Sequence, residues 1–152
     1  MTKATEPRQL GWLDACLFIH PLFQSDPNAA RCREIFRAIE KGAAESWLDS
    51  VTVHELTYAL QKLPQFRDNR GAIVDYLLPF VLQEGIRMSD KPAVVSGLRH
   101  WTRGGRFGDA RIAALAETSG LPVCTVNARD WREQETPVGL LASYRVQNGA
   151  NS

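Results

Sequence analysis

The chain lacks most of the features that assign a sequence quickly. Its three cysteines, Cys16, Cys32 and Cys124, are odd in number and have no CxxC spacing. That argues against a disulfide framework or a zinc cluster and fits reduced thiols in a cytoplasmic protein. No apolar run is long enough to span a bilayer, and MTKATEPRQL at the N-terminus has no signal core, so no membrane association is expected. Formal net charge is only +1, so any basic surface must come from local clustering. Neither GxGxxG nor GxxxxGK occurs, which leaves nucleotide-cofactor readings little support. The Asp-x-Asp nucleophile motif is absent too, against a phosphatase on a Rossmann-like sheet. His54-Glu55 begins like the HExxH zinc motif, but Tyr58 stands at the second histidine position. His20 and His100 show no ligand spacing.

What is present suits one α/β domain over residues 1–152. Hydrophobic residues make up 44% of 152 positions, enough for a core and too many for disorder. Residues 9–14 (QLGWLD) read as a first strand ending at Asp14. Asp26 as cap, Pro27 in the first turn and Gly42 at the end predict a helix over 26–42. SWLDS (46–50) reads as a second strand. Val53, Leu56, Leu60 and Leu63 recur at helical spacing over 51–63, and Ile73, Leu77 and Val81 over 67–84, where Pro79 permits a kink. GIRM is a weak strand, 90–101 a helix capped by Asp90, and 109–119 a helix ended by Gly120. PVCTV (122–126) reads as a buried strand and ASYRV (142–146) as one more. Alternating strands and helices predict a three-layer sandwich around a central parallel sheet, with loose ends at 1–8 and 147–152.

Acidic and amide residues mark the strand exits and helix starts. Asp14 at a strand's carboxyl end is where open α/β sheets place ligands, and equally where a turn-forming Asp belongs. Glu55 fits a capping box with Thr52, and taken alone that is the stronger explanation. Asp109 opens a helix whose Ile112, Ala113 and Ala116 lie three, four and seven residues on. It should therefore project from the core-facing side, where a carboxylate can bind a metal, although an acid at a helix start also needs no further reason. Asn127 and Asp130 follow the VCTV strand, as turn residues or as site residues, and Thr125 could orient a carboxylate or simply suit a strand. Carboxylates converging on one spot repel each other, and a hard divalent cation is the usual remedy.

Basic residues gather around these positions. Arg99, His100, Arg103 and Arg106 precede Asp109, Arg111 follows it, and Arg129 and Arg132 flank Asp130. Such a rim would neutralise RNA phosphates, although arginines also merely solvate loops. Trp101 and Phe107 would stack on unpaired bases, but packing in the core explains them better. The apolar surplus in LFIHPLF and IVDYLLPFVL suggests a homodimer or partner interface beyond the core, with the core alone as the simpler explanation.

Four segments together carry a resemblance: Leu13-Asp14; Thr52-Val53-His54-Glu55-Leu56; GDARIAALA over 108–116; and TVNARDW over 125–131. Across roughly residues 10–132 they resemble the PIN domain, a family of small metal-dependent ribonucleases. The resemblance implies that Asp14, Glu55 and Asp109 bind Mg²⁺ or Mn²⁺, with Asn127 or Asp130 at the fourth position. It implies hydrolysis of RNA, with a small antitoxin protein as partner if the chain is similar to the toxins of toxin–antitoxin pairs. Two positions depart from the family pattern. Ala15-Cys16 stands where members often carry Thr-Asn, and Asn127 is neutral where some have Asp. A PIN-like interaction module with little or no catalysis, or a housekeeping RNA-processing nuclease, is the alternative expectation.

Overall fold

The computed structural model describes residues 4–125, 131 and 138–140. Strands β1 (Arg8–Trp12), β2 (Ala44–Trp47) and β3 (Ile86–Arg87) form a parallel sheet in that order. Strands β4 (Val123–Thr125) and β5 (Val138–Leu140) pair in parallel as a second, two-stranded sheet. Between them run α1 (Cys16–Ile19), α2 (Ala29–Glu40), α3 (Ser50–Gln61), α4 (Arg70–Val81), α5 (Lys91–Trp101) and α6 (Phe107–Ser119). The fold is α/β, with a parallel sheet flanked by helices, as the alternating elements predict.

The predicted apolar faces are the ones that pack. Val53, Leu56 and Leu60 of α3 are buried with Ile73, Leu77 and Val81 of α4. Burial of such side chains contributes roughly 1.5–3 kcal/mol each, which is what holds these helices on the sheet. Phe18 from LFIHPLF and Ile73, Val74, Leu77 and Val81 from IVDYLLPFVL all join the core. The core therefore accounts for most of the apolar surplus in those two segments.

Several boundaries move, each for a local reason. Strand β2 starts at Ala44 rather than Ser46, and Asp49 instead caps the next helix. Its extended backbone lets the carboxylate accept the Val51 N–H at 3.0 Å. The capping box from Thr52 is therefore not formed, and Glu55 sits one turn further in. Asp26 does not cap α2. Its carboxylate accepts the Asn28 N–H at 2.8 Å and pairs with His20, which delays the helix to Ala29. Gly42 and Gly120 follow their helices at φ +74 and +69, left-handed angles that favour glycine. Helix α6 begins at Phe107, two residues before Asp109. Strand β1 stops at Trp12, so Asp14 lies just beyond it. Strand β5 went unforeseen because three residues carry no alternation to read. The strand predicted at 142–146 lies outside the described residues. Among the described residues, no helix is long and apolar enough to cross a membrane.

Candidate functional site

Parallel pairing of β1 with β2 brings two chain exits to one edge. Trp12 is in register with Trp47, and the Leu13 N–H donates to the Trp47 carbonyl at 2.8 Å. Asp14 and the start of α3 thus leave the sheet on the same side. At this edge the Trp12 and Trp47 rings lie 5.8 Å apart, with Trp12 70% exposed.

Asp14 is exposed, and its Oδ1 accepts the Ala15 N–H at 2.8 Å. That is the turn chemistry allowed for it, and a ligand role does not require its absence. The Cys16 thiol also donates to the Asp14 carboxylate. Desolvation first, then that hydrogen bond and the carboxylate's charge, push the thiol's pKa up. Cys16 therefore supplies a weak protonated donor where an amide was expected by family pattern.

Glu55 is exposed in the second turn of α3. It lines a cavity of about 520 Å³ together with His54, Tyr58, Gln61, Arg70 and Arg106. Sequence reasoning found Arg106 but missed Arg70 and Tyr58. The three-residue spacing of Tyr58 from Glu55 was a readable signal, because such residues are neighbours on a helix. Arg70 comes from a distant helix, and nothing local betrays it. Its Nη1 donates to the carbonyls of Trp101 and Gly105 at 2.9 and 2.8 Å. Its guanidinium also stacks 4.6 Å from the Trp101 ring centroid. Arg70 thereby fixes the 101–105 turn that delivers Arg106 to the cavity.

Asp109 is half-buried in the first turn of α6. That turn packs on α3: Phe107 lies 6.2 Å from His54 between ring centroids, and a Cβ on Gly108 would stand 3.5 Å from His54 Nδ1. Of the three residues expected to share the core-facing side with Asp109, Ala113 and Ala116 are buried and Ile112 is not. Ala110, Ala113, Ala114 and Ala116 make the buried face, whereas Ile112 is 44% exposed. The alanines win because the close helix crossing leaves no room for larger side chains.

Among the described residues, no group of three or more His, Cys, Asp or Glu is arranged to hold a metal ion. Asp14, Glu55 and Asp109 do not form such a group by themselves. Asn127, Arg129, Asp130 and Arg132 lie outside the described residues, and Thr125 is the last residue of β4.

The basic positions divide into three environments. Arg99 and Arg103 are exposed and line a second cavity of about 410 Å³ with His100 and Glu117. Arg106 is exposed and lines the same cavity as Glu55. Arg111 is half-buried and ion-paired with Asp90. Trp101 and Phe107 are buried, so packing rather than open stacking is their role.

No curated protein matches the chain at significant similarity. Residues 12–135 match the family described as the PIN domain, which takes in both strand exits, the Glu55 cavity and α6. Given a match over most of its length, this chain belongs to the PIN domain family.

Proposed function

We propose that this PIN domain binds RNA at the cavity beside Glu55 and cleaves it weakly or not at all. The observation that carries this reading is the company Glu55 keeps. It lines the cavity with Arg70, Arg106, His54 and Tyr58, and no other carboxylate is among the described residues that line it. Cations and an exposed ring suit phosphates and bases. A hard cation needs several converging oxygens, which the described residues do not assemble.

A second reading is favoured by family membership and by the shared exit of Asp14 and α3 at one sheet edge. In it the chain is a Mg²⁺- or Mn²⁺-dependent endoribonuclease. Asp14, Glu55 and Asp109 are the ligands, Asn127 or Asp130 takes the fourth position, and Thr125 supports them. Arg99, Arg103, Arg106 and Arg129 face the RNA. Such a nuclease would serve as the homodimeric toxin of a pair with a small antitoxin, or in housekeeping RNA processing.

The test combines RNA binding in EDTA, Mn²⁺ calorimetry and cleavage assays. The first reading expects RNA to bind equally with and without Mn²⁺, with little cleavage. Mn²⁺-dependent cleavage that Asp109→Asn abolishes at unchanged melting temperature would establish the second instead. In that case Asn127→Asp should tighten Mn²⁺ binding by adding charge, and Asp130→Ala should cost less activity than Asp14→Ala.

A further inference from the structure

We propose that the cavity beside Glu55 selects one unpaired guanine nucleotide, with the base stacked on Tyr58 and its Watson–Crick edge on the Glu55 carboxylate. The inference rests on the RNA-binding reading above and adds base selectivity to it. Glu55 and Tyr58 are three residues apart on α3, so their side chains are neighbours on the helix surface. A base lying on the Tyr58 ring therefore has its edge beside Glu55.

Both groups are available. Tyr58 is 61% exposed; the Lys62 ammonium covers one face of its ring at 3.9 Å from the centroid, so a base would stack on the other face. Unpaired bases are recognised by such stacking together with hydrogen bonds to their edges. The cavity, about 520 Å³, falls within the size range of small-molecule sites.

The carboxylate decides which base. Ionised, it only accepts, and its two oxygens take two parallel hydrogen bonds. Guanine alone presents adjacent donors, N1–H and N2–H, on its Watson–Crick edge. Adenine and cytosine offer an amino group beside an acceptor nitrogen, which the carboxylate repels. Uracil offers one N–H between two carbonyls. Arg106, on the same cavity, supplies positive charge for the attached phosphate.

The test measures fluorescence anisotropy of labelled oligouridylates carrying one central guanosine or adenosine. EDTA is present, so that a metal role for Glu55 does not enter. The full chain should prefer the guanosine strand by about tenfold, the usual scale of one bidentate base contact. Glu55→Gln should bring that preference close to one, because an amide offers a single acceptor oxygen. Tyr58→Ala should weaken both strands by about tenfold. Both side chains are exposed, and unchanged melting temperatures would verify that the variants fold. Equal binding of the two strands by the wild-type protein overturns the guanine inference and leaves RNA binding standing. Binding of neither strand overturns both. A guanosine preference that survives in Glu55→Gln removes the carboxylate from recognition and sinks the inference as well.

Discussion

Asp90 gives its carboxylate to Arg111 and not to the amides of the helix it precedes. One oxygen accepts from Arg111 Nε at 2.7 Å and from Nη2, while no side-chain cap forms on α5. The pair ties the start of α5 to the second turn of α6. Gly97 makes this approach possible, since a Cβ there would come within 3.1 Å of Arg111 Cα. The helix that carries Asp109 is therefore positioned by an arginine whose sequence context suggested RNA.

Arg111→Ala should lower stability by about 1–3 kcal/mol, because it leaves a partly buried carboxylate without its charged donor. Arg103→Ala, at an exposed position, should stay within about 0.5 kcal/mol of the parent. Urea unfolding measures both. If Arg111→Ala left stability unchanged and weakened RNA binding, the guanidinium would belong to the RNA rim after all.

Trp101 is 1% exposed and carries the Arg70 stack. Trp101→Ala should cost about 3–5 kcal/mol through the cavity it leaves. Arg70→Lys is the more specific probe. An ammonium lacks the planar face that lies on Trp101, so the 101–105 turn should loosen while the core stays packed. Hydrogen exchange at those amides would report it, and unchanged protection would mean that Arg70 does not hold the turn.

The Tyr76 hydroxyl donates to the Phe18 carbonyl. Burial first, then the nearby Cys32, push its pKa up to about 12 from an ordinary value near 10. A raised folded-state pKa means that the unfolded chain loses this proton first. The stabilisation is complete below about pH 10 and is lost as pH rises towards about 12. Melting temperature should fall more steeply across that window in the wild type than in Tyr76→Phe. Parallel curves would refute the shift.

Elements written in a repeating pattern were legible from the sequence. Leu56 and Leu60, or Ile73 and Leu77, recur at helical spacing, and burial follows that period directly. Gly42 and Gly120 mark helix ends because only a left-handed turn fits there. Helix starts were less legible. Asp49 and Thr52 both have capping chemistry, as do Asp26 and Asn28, and the choice depends on where the preceding strand or turn stops.

The sequence by itself determined the alternation of strands and helices, the core faces of α3 and α4 and the family, since each is carried by residues close together in the chain. Tertiary structure alone decided which arginine meets which partner. Arg70 joins Trp101 and Gly105 from 31 and 35 residues away, and Arg111 joins Asp90 from 21. It also decided that Glu55 lines one cavity with Arg70, Arg106 and Tyr58. A charged side chain carries no periodic signature of its partner, because long-range pairing depends on how the helices cross rather than on local spacing.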